Sequence, residues 1–346
     1  MGGSNSPGSL VTGAESTQDS SEPTIVTGTF PSRAGTLWGR MDELDVLGQR
    51  VIFGSSERMA MIPDASIDLF ITSPPYWNLK DYGGPPGSLG SSSYERYLDR
   101  LGVVWRQCYR KAKPNGVLVV NANSRRHRKR FYPIALDIAA RMKGWRLWDV
   151  VVWYVPNALP QPNAYMERIL DNKFEWVLVF TRDGCADYKF RKPRVPQKYL
   201  VADPRAHKKN ERGRCLGNVI RIPAYRPPTV KRQNYHVAAY PEELVALFVE
   251  LYTHEGDRVL DPFLGSGTTL KVARVMGRHG IGFEINPGFR GVIRRKIAEP
   301  WRVPDWRDID LLHSTTMEPG MQKPRKVAFL RGDPEARRAL GLATSE

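Results

Sequence analysis

Ile67-Asp68-Leu69-Phe70-Ile71-Thr72-Ser73-Pro74-Pro75-Tyr76-Trp77 runs from an apolar stretch straight into a small hydroxyl, two prolines and two aromatics. The apolar part reads as a buried strand over Ile67 to Thr72. Proline fixes φ and cannot donate to a ladder, so the strand has to end where the prolines begin. The two prolines fix the backbone, and with it the carbonyls of Pro74 and Pro75, where they stand. Ser73 adds a hydroxyl and Tyr76 a flat ring. Fixed carbonyl acceptors, a hydroxyl and a stacking ring suit a planar base that carries an exocyclic amino group.

Strand and helix signals alternate outward from this stretch. Before it, Arg50 to Gly54 reads as a short strand. After it, Tyr94 to Lys113 places Tyr97, Leu98, Leu101, Val104, Trp105 and Cys108 at helical spacing and stops at Pro114-Asn115-Gly116. Val117 to Asn121 is predicted as a strand, Ile134 to Met142 as a helix, and Asp149 to Val155 and Glu175 to Thr181 as strands. Pro241 to Thr253 has one apolar helical face. Arg258 to Leu260 and Gly280 to Ile285 are predicted strands flanking a helix over Thr268 to Met276. This alternation predicts an open α/β sheet with helices on both faces, whose ligands bind beyond the carboxyl ends of the strands at a topological switch point.

Asp261-Pro262-Phe263-Leu264-Gly265-Ser266-Gly267-Thr268-Thr269 stands between a predicted strand and a predicted helix. Gly265 and Gly267 permit close backbone approach to a ligand. Thr268 and Thr269 fall at the helix start, where free N–H groups favour an anion. Glu284 ends the next strand, a place suited to accepting both hydroxyls of a ribose. A phosphate-binding loop of the GxxxxGK[ST] kind lacks its lysine here, and the dinucleotide GxGxxG spacing is broken by the two threonines. S-adenosyl-L-methionine, with ribose, adenine and carboxylate but no phosphate, fits the loop better.

The chain has 346 residues and a formal net charge of +16, with a sequence pI of about 9.8. Such a charge points to a polyanionic partner. It is unevenly placed. Residues 1–35, rich in Ser, Gly and Thr, carry Glu15, Asp19 and Glu22 and no Lys or Arg up to Thr29, and read as a disordered tail. The match of Met1 to Ser6 to a myristoylation pattern is read as coincidence. Arg125, Arg126, His127, Arg128, Lys129 and Arg130 form a basic block just past a predicted strand end. Residues 182–235 hold fifteen Lys or Arg against four acidic residues, interleaved with Tyr188, Phe190, Tyr199, Tyr225 and Tyr235. Three scattered cysteines form neither a disulfide framework nor metal spacing, which suits a reducing, cytoplasmic setting. No apolar run is long enough to span a membrane. His236 has no neighbouring ligand set and is not read as a metal ligand.

Thr-Ser-Pro-Pro-Tyr-Trp taken with Asp-Pro-Phe-x-Gly-Ser-Gly-Thr-Thr resembles the DNA amino-methyltransferases, which modify cytosine N4 or adenine N6. The order of the two motifs is similar to the beta-class permutation. Gly144-Trp145 through Asn157, Glu175 to Phe180, and His236 with Tyr240-Pro241-Glu242-Glu243-Leu244 extend the similarity over roughly residues 48 to 300. The chain departs from the family after Gly54, where Ser55 and Ser56 replace an Asp that contacts the cofactor adenine.

The resemblance implies a Rossmann-like S-adenosylmethionine-dependent methyltransferase fold, circularly permuted so that the catalytic motif precedes the cofactor motif. The expected organisation is a catalytic half over 36–181, an inserted target-recognition region over 182–235, a cofactor-binding half over 236–300 and a C-terminal tail over 301–346. It implies catalytic roles for Ser73, Pro74, Pro75 and Tyr76. Contacts to S-adenosyl-L-methionine are expected from Tyr240, Pro241, Asp261, Pro262, Phe263, Gly265, Ser266, Gly267, Thr268, Thr269 and Glu284. Arg125, Arg126, Arg128, Lys129 and Arg130 are expected to meet double-stranded DNA, and Asp81 and Tyr82 stand level between DNA contact and loop capping. In the family a Ser before Pro-Pro-Tyr usually accompanies cytosine, and Asp or Asn adenine, which implies N4 methylation, with adenine N6 as the alternative. A restriction endonuclease encoded elsewhere is the implied functional partner. Cytosine C5 chemistry would need a cysteine nucleophile, usually after proline, and no cysteine here follows one. Two further readings are a DNA-binding regulator without activity and, more remotely, a Rossmann dehydrogenase.

Overall fold

The computed structural model describes residues 42–79, 89–158, 169–192, 194–195, 214–224 and 239–304. The tail over 1–35, Asp81, Tyr82, His236, much of 182–235 and everything from 305 on lie outside the described residues. In chain order the strands are β1 (Asp42–Val46), β2 (Gln49–Phe53), β3 (Ile67–Thr72), β4 (Ala112–Ala122), β5 (Arg125–His127), β6 (Arg130–Tyr132), β7 (Trp145–Tyr154), β8 (Phe174–Arg182), β9 (Arg194–Val195), β10 (Arg214–Cys215), β11 (Val219–Arg221), β12 (Arg258–Asp261) and β13 (His279–Glu284). The helices are α1 (Tyr94–Lys111), α2 (Ile134–Ala140), α3 (Glu242–Tyr252), α4 (Thr268–Val275) and α5 (Arg290–Ala298).

Nine strands make one sheet in the order β1-β2-β13-β12-β3-β4-β8-β7-β11. From β2 to β4 the neighbours are parallel, so their carboxyl ends share one edge. Successive side chains of a strand point to opposite faces, and here both faces are dry. Leu69 and Ile71 share a core with Leu244, Leu247 and Phe248 of α3 and Val272 of α4. Phe70 shares the other with Leu101 and Trp105 of α1 and Ile134 and Ile138 of α2. The chain moves one way from β3 through α1 to β4, and the other way from β12 through α4 to β13. Right-handed crossovers then put α1 and α4 on opposite faces. The switch point falls between β3 and β12.

The strand predicted over Ile67 to Thr72 is found with those bounds. β4 starts at Ala112 rather than Val117 and runs through Pro114. Pro114 has no N–H for the ladder, and the pairing with β3 shifts register between Ile67 and Leu69. β1 was not legible, because Asp42, Glu43 and Asp45 give it the look of a loop. Its antiparallel pairing with β2 at the sheet edge explains the charges. Both described ends of the basic segment 182–235 belong to the sheet. Lys189 bridges Asp68 at 2.9 Å and Asp257 at 2.6 Å, and Ile220 and Ile222 are buried beside β7. Among the described residues no helix is long and apolar enough to cross a membrane, and no cluster of side chains could hold a metal ion.

Candidate active site

β3 and β12 lie side by side, with Val259 opposite Leu69 and Leu260 opposite Phe70. Ser73 and Pro262 therefore leave the sheet from adjacent strand ends. Thr72 Oγ1 donates to Asp261 Oδ1 at 2.6 Å across 189 residues of sequence, closing the two loops onto each other.

Asp261 is almost wholly buried and saturated with donors. Oδ1 also accepts the Phe263 N–H at 2.9 Å, while Oδ2 accepts Thr269 Oγ1 at 2.5 Å and the Tyr240 hydroxyl at 3.1 Å. Burial pushes its carboxyl above the usual range, against the pull of Thr269, Thr72, the Phe263 N–H and Tyr240. Burial and the Asp261 charge likewise push the Tyr240 hydroxyl well up. Asp261, Thr269 and Tyr240, all expected to contact the cofactor, hydrogen-bond one another at the base of the loop. Pro241 stands directly before the first residue of α3, and Pro262 is buried.

Gly265 and Gly267 have φ of +56° and +100°, which a side chain would make costly. The Gly265 N–H donates to Glu284 Oε2 and the Asn286 N–H to Oε1, both at 2.8 Å. Burial raises the Glu284 carboxyl to about 7, helped by the charge of Asp261 and opposed by those N–H groups. Ser266 is buried at the tip, and Phe263 meets Trp105 edge-on at 6.0 Å. Thr268 Oγ1, at the first position of α4, is buried without a hydrogen-bond partner.

Across the crevice Ser73 Oγ donates to the Tyr76 hydroxyl at 3.1 Å. That hydroxyl donates to Glu175 Oε2 at 2.6 Å and accepts Asn121 Nδ2 at 3.0 Å. Asn121 Nδ2 also reaches Glu175 at 2.7 Å. The Pro75 carbonyl is taken by the Tyr97 hydroxyl and the Trp77 N–H, at 2.7 and 2.8 Å. The Pro75 carbonyl is thus used within the protein, whereas that of Pro74 takes no hydrogen bond among the described residues. Trp77 is held at φ +50°, its ring buried among Tyr94, His127 and Tyr132. It is an anchor rather than a stacking platform.

The basic block folds as a hairpin, with β5 and β6 paired antiparallel and Arg128 and Lys129 at positive φ in the two-residue turn. Arg126, Arg128, Lys129 and Arg130 are exposed. Arg125, expected like its neighbours to meet DNA, is half-buried: its Nε and Nη2 bind the side chain and carbonyl of Asn78 at 2.8 and 2.9 Å, tying the hairpin to the Pro-Pro loop.

Ser73, Tyr76, Glu284 and the glycine loop therefore open on one edge, as their motifs predict. Sequence reasoning gave no role to Thr72, Asn121 or Glu175. Each is a polar residue at the end of an apolar strand, which was the available signal. Their partners lie far off in sequence and meet only through the strand order.

The family model described as DNA methylase, N6_N4_Mtase, matches residues 67–295. The type II methyltransferase M.MwoI of Methanothermobacter wolfeii is 30% identical over 236 residues, 66% of this chain and 30% of that protein, so the chain spans under a third of that relative. M.MjaI of Methanocaldococcus jannaschii, also a type II methyltransferase, is 27% identical over 289 residues, 72% of this chain and 91% of the relative. Among solved structures the cytosine-N4-specific PvuII DNA methyltransferase superposes with a TM-score of 0.56 at 20% identity, over 76% of this chain and 90% of that one. That likeness shows a shared Rossmann-like methyltransferase fold.

Proposed function

Because the chain belongs to the DNA methylase family, we propose that it methylates the exocyclic N4 of cytosine at a specific site in double-stranded DNA, using S-adenosyl-L-methionine. The observation that carries this reading is the Thr72–Asp261 hydrogen bond, which holds the amine-binding loop and the glycine loop on adjacent strand ends. Cytosine is favoured because Ser73, rather than Asp or Asn, precedes Pro-Pro-Tyr.

The residues present fit the cofactor. The unpartnered Thr268 Oγ1 and the N-terminal N–H groups of α4 suit its carboxylate. Glu284 keeps acceptor capacity for the ribose hydroxyls beyond its backbone donors. S-adenosyl-L-methionine supplies an electrophilic sulfonium methyl group. The cytosine amine is a weak nucleophile, since its lone pair is delocalised into the ring. Ser73 Oγ and the Pro74 carbonyl accept its N–H bonds, drawing the nitrogen toward sp³ and freeing the pair. Tyr76, tethered through its hydroxyl, presents its ring to the base. Catalysis is mainly positioning, and the base leaves the duplex to be reached.

Cofactor affinity should follow the ionisation of Glu284. A carboxylate accepts both ribose hydroxyls and a neutral carboxyl does so poorly. With the group at about 7, binding weakens as pH falls, by roughly tenfold between about pH 8 and pH 6. Calorimetric titration checks this, and Glu284→Gln should bind weakly with that pH dependence gone.

The exposed hairpin cations suit DNA phosphates beside the pocket, and the basic segment 182–235 supplies base recognition. Replacing the turn as Arg128→Asn with Lys129→Gly keeps residues suited to positive φ. The slope of log Kd against log salt should then flatten by about two. An unchanged slope would remove the turn from the interface.

The function itself is tested by incubating the protein with labelled S-adenosylmethionine and DNA of varied sequence, then digesting to nucleosides for mass spectrometry. N4-methylcytosine is the expected product. N6-methyladenine would move the activity to adenine, and no methylated nucleoside would leave a DNA-binding regulator. A restriction endonuclease cutting the same site is the proposed functional counterpart, and methylated DNA should resist it.

A further inference from the structure

Resting on that amine-methylation reading, we propose that Glu175 is the terminal proton acceptor of the reaction, reached from the substrate amine through Ser73 and Tyr76. The hydrogen-bond directions carry the argument. A carboxylate only accepts, so the Tyr76 hydroxyl must give its proton to Glu175, at the 2.6 Å of a charge-assisted bond. The Tyr76 oxygen is then an acceptor for its other neighbours and takes the Ser73 hydroxyl and Asn121 Nδ2. Ser73, having turned its proton inward, faces the substrate with lone pairs only. Asn121, buried and bonded to both Tyr76 and Glu175, keeps the three groups in line.

The same chain can move a proton. As the amine nitrogen takes the methyl group with its lone pair, the electron pair of the broken carbon–sulfur bond stays on sulfur. The nitrogen is left with a positive charge and one proton too many. Ser73 Oγ takes that proton and passes its own to Tyr76 Oη, and the Tyr76 proton passes to Glu175. A neutral methylated base and a neutral Glu175 carboxyl result. Glu175 is only half-buried, so it can return the proton to solvent. Glu175 touches no substrate; it acts through Tyr76.

Single-turnover rates measured across pH at saturating cofactor, where the Glu284 dependence of cofactor binding drops out, test this with Glu175→Gln, which keeps shape and an acceptor oxygen but cannot take the proton, and with Tyr76→Phe, which cuts the chain beside an intact Glu175. The wild-type rate should rise with pH through one ionisation and then level. Both variants should be slower by about a hundredfold and lack that ionisation. Melting temperature, DNA affinity and cofactor affinity of Glu175→Gln should stay at wild-type values. A Glu175→Gln enzyme with the wild-type rate and profile overturns the relay. A slow one that keeps the wild-type ionisation makes Glu175 a structural brace and also overturns it. Failure of the underlying reading would look different, with no methylated base formed by the wild type.

Discussion

Ser73→Ala should lower the single-turnover rate of methyl transfer by about a hundred- to ten-thousandfold, the span seen when a proton-handling or charge-stabilising group is lost. Cofactor affinity should not move, because Ser73 lies across the crevice from the glycine loop and bonds only Tyr76 among the described residues. Removing the hydroxyl deletes an acceptor for the amine N–H and the first link toward Tyr76, while the Tyr76–Glu175–Asn121 group stays intact. Rapid-quench kinetics and cofactor calorimetry on the same preparation separate the two effects. Equal losses in both would make Ser73 a structural residue and remove it from the chemistry.

Asp261→Ala should show the opposite pattern, a failure of stability and cofactor binding together. Its carboxylate is the common acceptor for Thr72, Thr269, Tyr240 and the Phe263 N–H. Each donor left unpaired in a dry site costs about 1–3 kcal/mol, and the sum after local relaxation is on the order of 3–5 kcal/mol. In a sheet of this size that lowers the melting temperature by roughly 10 °C. Asp261→Asn, which keeps the volume and one acceptor, should lose about half as much. Thermal unfolding of the three proteins measures this. A near-wild-type Asp261→Ala would mean that water replaces the carboxylate and that the bridge between the loops is dispensable.

The sheet centre was legible because its strands are apolar on both faces and are cut off sharply, β3 by Pro74-Pro75 and β12 by Asp261-Pro262. The two loops, with Ser73, Tyr76, Gly265, Gly267 and Glu284, could be read for the same reason. What could not be read was any polar partnership across the sheet. Asp261 was read as a ligand contact, and nothing near it in sequence announces Thr72 or Tyr240 as its partners. Glu175 looked like an ordinary strand-start residue, yet it meets Asn121, 54 residues earlier, because β8 pairs with β4. Arg125 was grouped with its cationic neighbours, but the hairpin turns it toward Asn78. In each case the side chain satisfies a partner that only the strand order supplies.

The strand order also sets a timetable for synthesis. β12 fills the slot between β3 and β13, and Asp261 leaves the ribosome 189 residues after Thr72. At about 5–20 residues per second that interval is roughly 10–40 s. Through it β3 can pair with β4, but its other edge, carrying Leu69, Phe70 and Ile71, stands open. An exposed apolar edge is a template for pairing with another chain. The nascent amino-terminal half is thus the stage most open to unwanted strand pairing, and the closing of Thr72 onto Asp261 marks the end of that exposure.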